Sequence, residues 1–372
     1  MEFLPNEVVT ELKEYVFFKP NNKEELQEAV NLWYTNKNEA LNKYGHISIW
    51  DTSLITDMSE LFYERYYFND DISKWNVSKV KDMNKMFYFC ENFNQSVNDW
   101  DVSNVTNMDS MFAYCEKFNQ PLNNWNVTNV KYMGQMFLIC KKFNQNLNNW
   151  DISKVEDMKE MFWGCWSFNQ PLNNWNISNV KEIGGIFFQC LEFNQPLDNW
   201  DVSNKKNMKD MFYEALSFNQ PLDSWDVSNV ENMESMFRHC DNFNQPLNNW
   251  NVSNVKDMNN MFCYTRSFDQ PLNNWNVSNV IDMENMFCGC YHFNQPLNNW
   301  NVSSVKNMKG MFERAESFNQ PLNLWDVSSV TKMEAIFEEA SSFNQSLDSW
   351  DISLVDDKVY MFKKKSFGKY YG

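Results

Sequence analysis

Apolar residues in this chain return at fixed offsets from thirteen tryptophans placed 25 residues apart, from Trp50 to Trp350. With Trp as position 0, Val or Ile stands at 2, Val at 5, Met at 8, Met or Ile at 11, Phe at 12 and 18, a small residue at 15 and Leu at 22, with few departures. The positions between are rich in Asn, Asp, Ser, Lys and Glu. Positions 5, 8, 11, 12 and 15 describe one face of a short helix. Asp57, Asp82, Asp157 and Asp257, all at position 7, are placed to cap its first turn. Positions 0 and 2 alternate with polar 1 and 3, which predicts a short half-buried strand. Pro at 21, as in Pro121, Pro171 and Pro296, sets a turn or an extended lead into it.

One such unit cannot bury its own apolar face, so neighbours must complete it. The pattern therefore predicts an α/β repeat solenoid over 50–355. We expect a right-handed stack of about 12–13 strand–turn–short-helix units. Strands stack at ~4.8 Å and helices at ~8–10 Å, so the strand side is expected to be concave, with an arc on the order of 60 Å.

Residues 1–49 lack the repeat and read as a helical N-terminal cap. Asn22-Lys23-Glu24-Glu25 is a capping box that opens a helix running through Trp33. A second short helix is expected from about Asn38 to Lys43, closed by Gly45. Ahead of them, Leu4, Val8, Leu12 and Val16 fall on one helical face. Residues 356–372 read as a basic C-terminal cap or tail: Lys358 replaces the usual Met, and Lys363, Lys364, Lys365 and Lys369 follow.

The formal net charge of −17 repels phosphate backbones and anionic lipid, so nucleic acid is not an expected partner. The first residues lack a basic stretch followed by an apolar one, and no apolar run approaches membrane-spanning length. The reading is thus no signal peptide, no membrane insertion, and a cytoplasmic location. Seven of nine cysteines share position 15 (Cys90, Cys115, Cys140, Cys165, Cys190, Cys240 and Cys290), where Ala215, Ala315 and Ala340 also stand. Interchange with Ala marks a small buried residue and free thiols in a reducing compartment.

No catalytic constellation emerges. The three histidines, His46, His239 and His292, have no metal-ligand spacing. Cys288-Gly289-Cys290 is a CxC whose thiols should face opposite ways. The chain lacks a glycine-rich phosphate loop and a nucleophile elbow. The expectation is no enzyme, no cofactor and no metal. Asp and Asn alternate at position 1 (Asp51, Asn76, Asp101, Asn126), which suits amide and Ser hydroxyl hydrogen bonds between units better than calcium. The six Asn-x-Ser/Thr sequons at position 1, on Asn76, Asn126, Asn176, Asn251, Asn276 and Asn301, follow from the same alternation. Met at 8 and 11 belongs to the core.

Position 13 breaks the polar pattern. It reads Tyr63, Tyr88, Ala113, Leu138, Trp163, Phe188 and Tyr213, then Arg238, Cys263, Cys288, Glu313 and Glu338. Trp166, Leu191 and Leu216 at position 16 flank it. On a regular helix this stripe faces away from the core, as a candidate surface for a protein partner or a second copy. If the helix stops at position 12, the same residues tuck between units. The candidate surface is Tyr63, Tyr88, Leu138, Trp163, Trp166, Phe188, Leu191 and Tyr213.

The run Met-Phe-x-x-Cys-x-x-Phe-Asn-Gln-Pro-Leu-x-x-Trp-Asp/Asn-Val-Ser-x-Val resembles the BspA-like leucine-rich-repeat proteins. It is closer still to the 25-residue mycoplasma-type repeat of unknown function, over roughly residues 46–365. That resemblance implies a leucine-rich-repeat-like solenoid. It also implies the settings of such proteins: bacterial surfaces, where a member acts as an adhesin, and large DNA viruses and protists, where virion association is a further expectation. The segment Leu32-Trp33 to Trp50-Asp51 resembles the leader of viral and protist members. The start Leu4-Pro5-Asn6-Glu7-Val8-Val9 through Val16 resembles the opening of an F-box, which paired with leucine-rich repeats implies a ubiquitin-ligase substrate adaptor. The leading functional expectation is a non-enzymatic interaction or structural scaffold.

Overall fold

A computed structural model of the protein describes residues 17–356. The amphipathic start with its F-box-like opening and the basic tail from Lys358 lie outside the described residues. Helix α1 spans Lys23–Thr35 and α2 spans Lys37–Tyr44, followed by a single 3-10 turn at Ile47–Ile49. Half of the expected capping box forms, the Asn22 side chain accepting the Glu25 N–H, whereas the Glu25 carboxylate reaches past the cap to the Asn21 N–H. Asn36 caps α2 in the same way, and Gly45 closes it at φ 73°. Leu26, Ala29, Val30 and Trp33 bury one face of α1. Across that face Lys23 pairs with Asp57, Gln27 donates to the Leu61 carbonyl, and the Trp33 indole donates to Asp70.

Inside the repeat the expected short helix is absent, and so is the strand at positions 0–2. Positions 8–15 fold instead as a chain of tight turns. In the unit at Trp50, the N–H groups of Leu61, Tyr63 and Arg65 bond back three residues, to Met58, Glu60 and Phe62. The N–H groups of Met58, Glu60, Phe62 and Glu64 bond forward into the next unit, to Asp82, Asn84, Met86 and Tyr88. Every second donor thus leaves its own unit, which an α-helix cannot do. The geometry needs left-handed backbone at positions 10 and 14. Among the described residues it is found at both positions in every unit, from Glu60 (58°) and Glu64 (58°) to Ala335 (56°) and Glu339 (57°). Left-handed backbone at the third residue of a turn is the type II requirement. In a non-glycine residue it costs ~1–2 kcal/mol, offset here by the bonds between units.

Among the described residues, the only pairing of strand type is a file of parallel bridges at position 7, from Asp57–Asp82 to Asn307–Lys332. The position-7 carboxylates cap no helix. Each Asp there accepts the backbone N–H two residues ahead, as Asp57 does from Ser59 (2.7 Å) and Asp157 from Lys159 (2.8 Å). Position 1 repeats the device within its own unit, Asp51 to Ser53 and Asn76 to Ser78, and does not bridge units as the ladder reading expects. The amides that do join units are elsewhere. Asn at position 4 donates to the Ser carbonyl of the preceding unit, and Asn at 19 accepts the next unit's backbone N–H, as Asn194 does from Asn219 (2.9 Å).

The core consists of files of equivalent side chains. Phe at 12 and Phe at 18 stack within a unit, as in Phe137–Phe143 (4.1 Å), and on their counterparts at 5.4–6.1 Å, as in Phe62–Phe87 and Phe243–Phe268. Indoles stack in parallel, Trp250 on Trp275 at 6.4 Å, and each donates to the carbonyl 28 residues earlier. All nine cysteines are free and buried. The position-15 thiols donate to the Phe carbonyl of the preceding unit, as Cys115 does to Phe87 (3.1 Å). Burial raises their pKa, so they stay protonated.

Candidate interaction surface

Position 12 turns its Phe into the core, so position 13 leaves the core side of the turn. Rings at 13 lie on one another along the stack: Tyr63–Tyr88 at 5.1 Å, Trp163–Phe188 at 4.0 Å, Phe188–Tyr213 at 4.3 Å. All five are half-buried. Between the two groups Ala113 is fully buried and Leu138 is 8% exposed. Leu138 therefore packs between units and leaves the candidate surface, while its neighbours keep their edges in water. At position 16, Trp166 is 43% exposed, Leu216 is 38% exposed and Leu191 is half-buried. The Lys141 ammonium lies 4.9 Å from the Trp166 ring.

Reading position 13 as a helical face missed its neighbour. Position 14, left-handed, carries a second set of rings: Phe89 stacks on Tyr114 at 4.0 Å and His239 on Tyr264 at 4.8 Å. Tyr88 meets Phe89 edge-on at 5.0 Å and joins the two files. The surface thus begins with Tyr63, Tyr88, Phe89 and Tyr114, and continues with Trp163, Phe188 and Tyr213. Gly185 fits this arrangement: a Cβ there would come within 3.1 Å of Glu160 Cγ and 3.7 Å of Trp163, and its φ is 61°.

Arg238 ends the aromatic file by lying over Tyr213 at 5.3 Å. Burial and the Glu64 carboxylate push the Tyr63 phenol above its ordinary value. Burial does the same for Tyr88 and Tyr213, against an opposing Arg238 in the second case. These phenols therefore remain hydrogen-bond donors at neutral pH. Along the file ring faces lie against neighbouring rings, so the surface offers edges, phenol O–H groups and the Trp166 indole, exposed beside Lys141. That mixture suits a protein surface.

Among the described residues no group of three or more His, Cys, Asp or Glu is placed to hold a metal ion. No helix there is long and apolar enough to cross a membrane.

Unit upon unit joined by the same bonds defines a tandem-repeat protein. The chain belongs to the family described as "Mycoplasma protein of unknown function, DUF285", which matches it at residues 29–150, 97–194, 133–245, 185–296 and 265–370. No curated protein matches the chain.

Proposed function

We propose that the stacked units form one continuous solenoid of leucine-rich-repeat-like character, and that it serves as a non-enzymatic scaffold for a protein partner or a second copy. The observation that carries this is the half-exposed aromatic file Trp163–Phe188–Tyr213 beside Trp166, held on a backbone that is hydrogen-bonded from unit to unit. A rigid file costs little side-chain entropy when a partner covers it. The resemblance to BspA-like proteins supports the general architecture, with turns here in place of helices. Under the same proposal the chain works in the cytoplasm of the producing or host cell, or on a virion, as the resemblance to viral and protist members suggests.

The test is the double substitution Trp163→Ser and Phe188→Ser. Sedimentation velocity over a range of concentrations reads self-association, and crosslinking mass spectrometry in the native host reads partners. Lost association with an unchanged circular dichroism spectrum supports the proposal. Unchanged association refutes it for this surface, and unfolding assigns the rings to packing.

A further inference from the structure

Two thiols stand apart from the seven in the core. Cys263 and Cys288 occupy position 13 of adjacent units, on the line that the aromatic file follows, and are flanked by Arg238 and Glu313. They are 2% and 5% exposed, whereas the position-15 thiols are fully buried. Each position-15 thiol is also committed to a backbone carbonyl, at 3.1 Å for Cys90 and 2.9 Å for Cys290. Cys263 and Cys288 instead lie beside each other across one seam, and the Cys263 thiol, ahead of burial, raises the Cys288 pKa.

The backbone brings the pair together. Tyr264 N donates to the Cys288 carbonyl at 2.6 Å, and His239 N to the Cys263 carbonyl at 2.8 Å. Stretches paired in this way lie ~4.8 Å apart, inside the 4.4–6.8 Å Cα separation that a disulfide spans. Elsewhere at position 13, rings stack at 4.0 Å and 4.3 Å, so neighbouring side chains run alongside each other. Next to the pair, Gly289 makes room for Tyr264: a Cβ on Gly289 would sit 2.5 Å from the Tyr264 ring.

We infer that Cys263 and Cys288 form an inter-unit dithiol site that a hydroperoxide converts to a disulfide. Hydrogen peroxide takes two electrons from the pair. The S–S bond forms, the O–O bond breaks, and the two thiol protons leave in two molecules of water. The product ties two neighbouring units where the aromatic file gives way to charge, independently of what that file binds. Because a thiol reductant reverses it, the staple is responsive to redox state.

The test uses the full chain, fully reduced, exposed to a small molar excess of hydrogen peroxide, then alkylated and mapped without reduction. The expected product is lighter by about 2 Da, the mass of two thiol hydrogens. It contains a Cys263–Cys288 linkage and leaves the other cysteines open to alkylation after unfolding. Cys263→Ala and Cys288→Ala should each lose the linkage, and both should fold, since Ala113 fills the same position in its own unit. Unshifted tryptophan emission, from indoles buried in the parent, checks the fold. Oxidation spread over the core thiols would overturn the inference. So would sulfinic acid without a linkage, a linkage formed only in denaturant, or a folded chain that does not react.

Discussion

Lys205 is the one polar residue in the valine file at position 5, and its replacement gives the sharpest test of how units hold together. The side chain is fully buried. Its ammonium donates to the Ile177 and Val180 carbonyls at 2.9 and 2.7 Å and to Asn204, with no carboxylate among these partners. Burial pulls its pKa down from 10.5 to about 8, against a weaker pull from Asp201. Among the described residues, the seam it enters is also the one that lacks a bridge: the file of position-7 pairs runs to Asp157–Glu182 and resumes at Asn207–Asn232. Among the described residues, the Lys206-to-Lys181 and Ile183-to-Asn207 backbone bonds, present in equivalent form at the neighbouring seams, are missing here.

At 1.36 kcal/mol per pKa unit, the lowered pKa corresponds to about 3 kcal/mol of penalty for burying the charge. Lys205→Val should recover that amount near neutral pH, together with about 1 kcal/mol for each ladder bond that re-forms. For a chain of this size, 3 kcal/mol moves Tm by about 4 °C. The pH dependence is the stricter check. The folded pKa lies below the unfolded value, so between about 8 and 10.5 the unfolded chain binds more protons. Parent stability then rises with pH across that window, and the advantage of Lys205→Val shrinks to the ladder contribution. Calorimetric melts of both chains from neutral pH to 10.5 read the difference, in which tyrosine and cysteine titrations cancel. A variant no more stable than the parent, or an advantage that does not change with pH, would refute the reasoning.

Three further outcomes follow from the same geometry. Trp250→Ala removes a ring that is 2% exposed, together with its bond to the Leu222 carbonyl, so urea unfolding should show a loss of roughly 3–5 kcal/mol; a loss under ~1 kcal/mol would mean the indole file is dispensable. Asn194→Leu strands the Asn219 N–H, while the Gln220 amide keeps the Asn194 backbone carbonyl, and should cost about 1–3 kcal/mol; Asn194→Asp keeps the acceptor, as Asp269 does in its own unit, and equal losses in the two variants would exclude the acceptor role. Burial raises the Asp210 pKa from 3.8 to about 6, so the folded chain holds the proton longer and stability falls as pH rises between those values. Asp210→Asn should remove about 2 kcal/mol of that fall, and parallel pH–stability curves for the two chains would contradict the assignment.

The period, the core files and both N-terminal helices are readable from residue types alone, because each depends on burial or on local capping. Trp at 0, Phe at 12 and 18 and a small residue at 15 are buried whatever the backbone does between them. Asn22 and Gly45 act within one turn of chain. The turn-built interior is different. Spacings of 3, 3, 1 and 3 fit a helix face, yet half the backbone donors in that stretch find acceptors in the next unit. Such acceptors exist only after stacking, so no local propensity reports them.

The one local trace is glycine. Gly164, Gly185, Gly289 and Gly310 fall at positions 14, 10, 14 and 10, which are the left-handed positions. Elsewhere those sites hold residues as varied as Glu60, Lys85, Phe89, Gln135 and Ile139, and the inter-unit bonds hold them at an unfavourable φ. Handedness also decides the surface. A helix would have turned position 14 away from 13, whereas the left-handed residue brings Phe89 beside Tyr88 and Tyr114 against both. The same forward bonds that remove the helix therefore join two aromatic files into one surface, so substitutions that weaken the seams should loosen this candidate surface before they unfold the core.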